Sequence, residues 1–243
     1  MRKRILVSLA IIVGLLVLFA GYFGLRFYLG VRNMTPTATG QVNDSVFCIK
    51  DDFVNAYLFK WRFGYLMIDA GMDAQKVKTE LAKLRIQPDQ VNCILLTHTD
   101  SDHTGAIGLF PMARIYMHKD EVQMINGENG KFPLVRFKWK YGPYTLFGSN
   151  DTLSLDGFKI KVFHTPGHTP GSCCFLIGSD YLVTGDNLIY KEGKIIPFED
   201  FFNMDTKTQA AAIQILPDPS TLKYLLTAHQ GVLRIKSHGT NKN

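Results

Sequence analysis

Residues 97–105 read Thr-His-Thr-Asp-Ser-Asp-His-Thr-Gly and directly follow an apolar run at residues 91–96. The apolar run predicts a buried strand, and residues 104–110 predict the start of a helix. Two histidines and two carboxylates therefore lie on one strand-to-helix turn, where several ligand atoms share a small volume. Although an acidic turn is usually only solvated, this density of ligands indicates a divalent metal site. The four candidates are His98, Asp100, Asp102 and His103.

Three further candidate ligands follow other predicted strands. His168 lies in His-Thr-Pro-Gly-His-Thr-Pro-Gly-Ser at residues 164–172, Asp186 follows Thr-Gly, and His229 follows Thr-Ala. A lone histidine is more often structural than a ligand. Seven competent ligands in this order are improbable by chance, so the sequence predicts one metal centre assembled from distant segments.

In this order the motifs resemble those of the metallo-β-lactamase-fold hydrolases, over nearly all of residues 46–232. The family pattern is His-x-His-x-Asp-His, then Gly-His, then an Asp, then a His. The resemblance implies an α/β fold, the αββα sandwich, with two divalent metal ions as cofactors. It implies that His98, Asp100 and His168 bind one metal, that Asp102, His103 and His229 bind the second, and that Asp186 bridges both.

Asp100 departs from the family pattern, since most members carry His there. A carboxylate is still a ligand, but its hard anionic oxygen raises the relative preference for Mn or Fe over Zn. The identity of the metal therefore stays open among Zn, Mn and Fe. An oxygen-rich set of ligands should also make the bound water less acidic than it is at an all-His site.

The resemblance implies hydrolysis by a hydroxide that two metals share, with Asp102 and Asp186 as catalytic residues. The substrate is a small molecule: an ester, lactone, thioester, β-lactam or phosphodiester. Because Asp100 and Asp186 depart from the ligand sets of true lactamases, we favour a carboxylic or phosphoric ester. The alternatives are a non-catalytic scaffold or sensor of the same fold and a di-iron redox protein. Seven competent ligands argue against the first, and the lack of room for a flavin domain argues against the second.

The composition, 46% hydrophobic and 20% charged, excludes disorder, collagen and small disulfide scaffolds. Residues 1–32 hold five of the 27 basic residues and no acidic one, so the other 211 residues carry 22 basic against 21 acidic side chains. The net charge of +6 therefore indicates no basic face, and a nucleic-acid partner is not expected. Four cysteines in apolar runs predict buried, reduced thiols: Cys48, Cys93, Cys173 and Cys174.

Residues 5–25 contain no charge, and a helix of this length spans about 30 Å. This predicts an uncleaved membrane anchor. The alternative, a cleaved signal peptide, has a shorter apolar core and a small-x-small cleavage site, which residues 20–24 do not offer. Arg2, Lys3 and Arg4 precede the helix and only Arg26 and Arg32 follow it, so we expect a cytoplasmic N-terminus and a catalytic domain outside the cytoplasm.

Four segments are predicted: the anchor at residues 1–32, a polar linker at 33–45, one domain at 46–236 and a polar tail at 237–243. Asp73 is the expected N-cap of a helix at 74–86. Residues 126–150 form an aromatic insertion that we interpret as a substrate lid, a membrane-facing surface or ordinary packing. The other expected elements are strands at 46–50, 55–60, 65–68, 114–117, 152–155, 158–163, 172–177, 181–184 and 223–227, and a helix at 206–216.

The remaining polar candidates have simpler interpretations. Asp69 is expected to form structural hydrogen bonds beside the site. His118 and His164 have no ligand partners in register, so a structural role is expected. Tyr190, four residues after Asp186, could bind a substrate oxygen, although packing is the simpler interpretation. The sequence does not determine the oligomeric state.

Overall fold

The computed structural model describes residues 2–131 and 136–235. It divides into two units, with the boundary along the chain between Met34 and Thr35. The first unit is helix α1 (Arg2–Arg32). By length and composition alone, its Lys3–Arg32 portion could cross a membrane, with a mean hydropathy of 2.7. A signal sequence shares these properties, so the anchor stays a prediction.

The second unit contains a seven-stranded sheet whose strands follow one another in sequence order. The first four strands are antiparallel, and the last three are parallel to the fourth. The strands are β1 (Gly40–Asn43), β2 (Val46–Asp51), β3 (Val54–Trp61), β4 (Gly64–Ile68), β5 (Val91–Leu95), β6 (Arg114–His118) and β7 (Tyr144–Phe147).

The second sheet has six strands in the order β15-β14-β11-β10-β9-β8, and all of its neighbours are antiparallel except β11 and β14. A separate hairpin, β12 and β13, follows β11 along the chain. The strands are β8 (Thr152–Leu155), β9 (Phe158–His164), β10 (Cys173–Ile177), β11 (Tyr181–Gly185), β12 (Leu188–Lys191), β13 (Lys194–Pro197), β14 (Tyr224–Thr227) and β15 (Gly231–Arg234).

Strand periodicity decides which side chains fill each layer of this unit. Along β3, Tyr57 and Phe59 face the second sheet, while the alternate residue Leu58 faces helix α2 (Ala74–Lys83). Val77 and Leu81 of α2, one helical turn apart, complete that outer core. The outer face of the second sheet packs against the β12–β13 hairpin and against residues that follow helix α5 (Thr206–Ala212). The unit is therefore the expected αββα sandwich.

Most predicted elements are present within a few residues of the expected bounds, and Asp73 caps α2 as expected. The helix expected at residues 104–110 is wrong. Helix α3 (Ser101–Thr104) ends there and a separate 3-10 turn covers Ile107–Leu109. Gly105 is still helical, and a Cβ there would lie 2.1 Å from the Met72 carbonyl oxygen. The next N–H, that of Ala106, donates to the Gly71 carbonyl oxygen at 3.2 Å and not to the preceding helical turn.

The α-helix expected at residues 206–216 ends at Ala212, and a 3-10 turn continues it. The segment predicted as a linker, residues 33–45, contains β1. Its Thr35 N–H also donates to the His229 carbonyl oxygen at 2.7 Å. Part of the aromatic insertion packs against the α2 side of the first sheet, through Phe137, Trp139 and Tyr141. Residues 132–135 of that insertion, residue 236 and the predicted tail lie outside the described residues.

Candidate metal centre

The seven predicted ligands lie where four strands end at one edge of the sandwich. Residues 98–103 follow β5, and His168 lies in the loop after β9. Because β11 and β14 are parallel neighbours, Asp186 and His229 emerge side by side. The Cys173 N–H donates to the Thr97 carbonyl oxygen at 2.9 Å, which joins the two sheets beside these loops.

The ligand atoms form two groups, within each of which all atoms lie within 4.8 Å of one another. Asp186 lies between them. Its Oδ2 is 3.2 Å from His168 Nε2, and its Oδ1 is 3.2 Å from His103 Nε2 and 3.1 Å from His229 Nε2. We call them the first group (His98, Asp100 and His168) and the second group (Asp102, His103, Asp186 and His229).

The site's polar atoms fit divalent cations. His98 Nε2, His103 Nε2 and Asp186 Oδ1 are buried and find no hydrogen-bond partner among the described residues. A buried polar atom without a partner costs about 1–3 kcal/mol, and several such atoms facing one another need a common partner. Imidazole nitrogens and carboxylate oxygens are ligands that Zn, Mn and Fe accept.

Three of the four histidines of the centre are oriented by a carbonyl or carboxylate oxygen at the other ring nitrogen. His103 Nδ1 lies 2.8 Å from Asp69 Oδ2, His229 Nδ1 lies 2.7 Å from the Phe53 carbonyl oxygen, and His168 Nδ1 lies 3.1 Å from Asn203 Oδ1. An acceptor at Nδ1 places the proton there and leaves the Nε2 lone pair for a cation. Sequence analysis missed Phe53 and Asn203, since a backbone carbonyl and a remote amide carry no motif.

Asp69 has the structural role that was expected of it. Besides His103, it accepts hydrogen bonds from the Thr97 N–H and hydroxyl, both at 2.8 Å. Its φ of 57° lies in the left-handed region, so the chain bends at the end of β4 and turns the carboxylate under the ligand loop.

The charges at the centre hold it in a mixed protonation state. Burial alone would raise the pKa of Asp186, but the imidazoles of His229 and His103 hold it well below its usual value. Burial would lower the pKa of His103, but Asp186 and Asp102 hold it well above the usual value. Burial, with His103 nearby, lowers the pKa of His98 to about 3. His98 is thus neutral and can offer its Nε2 lone pair, and a cation in the second group would take the place of a proton.

Glu121 joins the two ligand loops, and sequence analysis missed it. Its Oε2 accepts from the Thr99 N–H at 2.8 Å and from the Thr99 hydroxyl at 2.5 Å. Its Oε1 accepts from the Thr169 hydroxyl at 2.5 Å and from the Gly171 N–H at 2.8 Å. Burial raises the pKa of Glu121, although these donors oppose the shift. One fully buried carboxylate therefore holds the loops of both His98 and His168.

Lys131 reaches the first group and was not a sequence candidate. Its Nζ forms an ion pair with Asp100 Oδ2 and lies 2.5 Å from His168 Nε2. Its side chain is 12% exposed. Burial would raise the pKa of Asp100, but Lys131 and His98 hold it well below the usual value. The first group thus contains a positive charge supplied by the chain itself.

The structure brings His118 and His164 together with Asp120, which the sequence did not indicate. The two rings stack with their centroids 4.0 Å apart. Tyr190 lies on β12, where its backbone N–H donates to Gln230 and its ring packs against the core under the hairpin. The four cysteines are buried and free, as predicted.

Comparisons with known proteins concern the sequence and the fold of the chain. The sequence model of the Metallo-beta-lactamase superfamily matches residues 49–229. The chain is 30% identical to a probable polyketide biosynthesis zinc-dependent hydrolase, BaeB, of Bacillus velezensis over 53% of this chain and 51% of that protein. It is 33% identical to a hydroxyacylglutathione hydrolase of Aeromonas hydrophila over 51% of this chain and 42% of that protein.

The chain thus spans about half the length of these curated relatives. Among solved structures, the Rm3 metallo-beta-lactamase aligns with a TM-score of 0.63 and 17% identity, over 80% of this chain and 79% of that one. At this identity the likeness concerns the fold alone.

Proposed function

Because the chain belongs to the metallo-β-lactamase superfamily, we propose that it is a membrane-anchored hydrolase that uses two divalent cations, one in each ligand group. The observation that carries this proposal is the position of Asp186 between two groups whose buried Nε2 atoms face a common space. Zn, Mn and Fe all suit this ligand set, and Asp100 favours Mn and Fe relative to an all-His set.

The first group and Asp186 would hold one cation, and the second group the other. A cation bound there supplies Lewis-acid chemistry and makes water acidic enough to attack at neutral pH. Asp186, whose side chain is 5% exposed, is the inner carboxylate. Asp102 is 18% exposed, and its Oδ2 lies 3.6 Å from both His103 Nε2 and His229 Nε2. We therefore assign Asp102 to orient the attacking water and to accept its proton.

We propose an ester or thioester of a small carboxylic acid as the substrate, with lactones and phosphodiesters as further candidates. The Aeromonas relative, named for hydroxyacylglutathione, supports an acyl substrate. The carboxylate at Asp100 makes a β-lactam the weaker candidate.

The anchor is the second part of the proposal. Helix α1 is apolar and long enough to cross a membrane, and its basic residues are concentrated at its N-terminal end. We propose that α1 holds the catalytic domain outside the cytoplasm. A reporter that is active only outside the cytoplasm, fused after residue 243, should give a signal. A signal from a reporter that is active only in the cytoplasm would show the opposite orientation.

Metal content tests the catalytic part. The full chain, purified in detergent and equilibrated with excess Zn or Mn, should bind two equivalents by elemental analysis and hydrolyse a member of an ester, thioester, lactone and phosphodiester panel. Asp186→Ala should lose metal and activity together. A parent chain that binds no metal after reconstitution would support the non-catalytic scaffold instead.

A further inference from the structure

The two ligand groups differ in whether a lysine side chain contacts their ligand atoms. In the second group, His103 Nε2 and Asp186 Oδ1 find no hydrogen-bond partner among the described residues, and the same is true of His98 Nε2 in the first group. In the first group, Lys131 Nζ contacts both Asp100 Oδ2 and His168 Nε2. A side chain of this protein therefore places a positive charge where the first group would bind a cation.

The contacts of Lys131 use the same lone pairs that a metal needs. Asn203 Oδ1, 3.1 Å from His168 Nδ1, accepts the ring proton there, so His168 Nε2 carries the lone pair that Lys131 engages. Asn203 is held in this orientation because its Nδ2 donates to the Phe198 carbonyl oxygen at 3.0 Å. An imidazole lone pair accepts one partner at a time. Lys131 and a metal ion consequently exclude each other at His168 Nε2.

Charge repulsion acts in the same direction. An ammonium and a divalent cation a few ångströms apart repel strongly in a buried, poorly hydrated site. Lys131 must withdraw from Asp100 before a cation can bind there, which breaks an ion pair at a group that is mostly shielded from water.

The same contact accounts for the departure at position 100. A neutral imidazole there would give the ammonium an uncharged acceptor, whereas Asp100 gives it a charge-assisted hydrogen bond. Asp100 suits a lysine partner and a metal alike, so it is the ligand type that allows the two to exchange.

We propose that Lys131 is a built-in competitor for the cation of the first group. The protein binds one cation tightly in the second group and admits another only when Lys131 withdraws from Asp100 and His168. This inference rests on the proposed metal-dependent function, and it adds that the two sites differ in affinity because of one residue.

A metal titration tests it without any substrate. Full-length protein in detergent, stripped with a chelator, is titrated with Zn²⁺ against a competing chelator dye. We expect the parent to bind one equivalent tightly and the second at least tenfold more weakly. Lys131→Met keeps a side chain of similar length and removes its charge. It should lower the dissociation constant of the second Zn²⁺ at least tenfold. Lys138→Met, an exposed lysine of the same segment, should match the parent.

Lys131→Gln serves as a second uncharged variant if Lys131→Met melts at a lower temperature than the parent. Two equal tight sites in the parent, unchanged in both Lys131 variants, would overturn the role of Lys131 and leave the metal-dependent function standing. Absence of Zn²⁺ binding in the parent and in both variants would overturn the role and the function together.

Discussion

The part of the chain that the structure describes contains two clusters of histidine and aspartate, and only one of these two has the properties of a metal centre. The second cluster, which we call the histidine pair, consists of His118, Asp120, Ser149 and His164. Its rings are as close as those of the centre: His118 and His164 stack at 4.0 Å, the same centroid distance as that between His98 and His103. Proximity and residue type therefore do not separate the clusters.

The difference lies in the ring nitrogens. In the histidine pair, the Asp120 N–H donates to His118 Nδ1 at 3.2 Å, and His118 Nε2 lies 3.2 Å from the Ser149 hydroxyl. That hydroxyl lies 3.0 Å from His164 Nδ1, and His164 Nε2 donates to the Pro170 carbonyl oxygen at 2.9 Å. In the centre, the Nε2 atoms of His98 and His103 find no such partner among the described residues.

Each donor of the histidine pair has one acceptor. The hydrogen bonds therefore all run in the same direction, from the Asp120 backbone N–H to the Pro170 carbonyl oxygen. The chain of hydrogen bonds links β6 of the first sheet with the end of β9 in the second, so it has a structural function. Ring nitrogens that are buried without a partner, as in His98 and His103, are therefore the ones left available to a cation.

The largest expected effect comes from replacing one histidine by glutamine in each cluster. His103→Gln removes a nitrogen that lacks a partner, so we expect metal bound in the second group to be lost and hydrolysis to fall at least ~1000-fold. His164→Gln keeps a hydrogen-bonding side chain and should retain metal and activity within about threefold. Elemental analysis and initial rates measure both, and equal losses in the two variants would erase the distinction.

Glu121 offers the next largest effect, because it directly follows Asp120 of the histidine pair in the chain and holds the two ligand loops of the centre. Glu121→Gln turns an acceptor of four hydrogen bonds into a group with two N–H donors facing other donors. We expect the free energy of unfolding to fall by about 3 kcal/mol, measured by urea denaturation. Glu128→Gln, at an exposed position, is the control and should change stability by less than about 0.5 kcal/mol. A matching result for the two variants would contradict the role of Glu121.

Asp69 tests whether orientation of the ring matters within the centre. Asp69→Asn weakens the acceptor for His103 Nδ1 while it keeps the size of the side chain. We expect the metal affinity to fall about 10–100-fold, with the fold retained but less stable, because the amide also faces the Thr97 donors. Competition with a chelator dye measures the affinity, and circular dichroism checks the fold. An unchanged affinity would show that the Nδ1 partner of His103 is dispensable.

The smallest effect concerns the pH dependence of stability. Burial, with His164 nearby, lowers the pKa of His118 to about 4 from a usual 6.5. Between these values the unfolded chain binds a proton that the folded chain does not, so stability falls as the pH falls. From pH 7.5 to 5.5 this histidine should contribute a loss of about 1 kcal/mol.

His118→Gln should lack that contribution, so its stability should depend less steeply on pH than that of the parent. Urea denaturation at the two pH values measures the difference. A parent and a variant with the same dependence would show that His118 is not held neutral in the fold.

Local patterns predicted a layered α/β domain and seven candidate ligands, and the family resemblance implied the αββα sandwich. A continuous apolar run places β3, and each candidate ligand lies in a short motif at a strand end. The β12–β13 hairpin was missed although it left a signal: Glu192 and Gly193 join the strands, both with positive φ, as in a two-residue turn.

Other features had no local signal. Lys131 is 31 positions from Asp100 in the chain, and only the folded loop brings its amine to the carboxylate. In the sequence, Glu121 looks like any acidic residue that follows a strand. Only the folded structure shows that it accepts hydrogen bonds from Thr99 and Thr169. The helix expected at residues 104–110 was wrong because the Ala106 N–H donates to the Gly71 carbonyl oxygen, a tertiary contact that replaces the helical hydrogen bond.

The order of the strands has a consequence for how the protein matures. The first four strands pair with their sequence neighbours, so this part needs only short loops to close and should form early. His229 follows β14 and reaches the centre only after β14 has paired with β11. The second group is therefore complete only when the two ends of the domain have met. A cation whose free concentration is 100 times its dissociation constant would stabilise the folded chain by about 2.7 kcal/mol. This stabilisation would act only on chains in which β14 has already paired with β11.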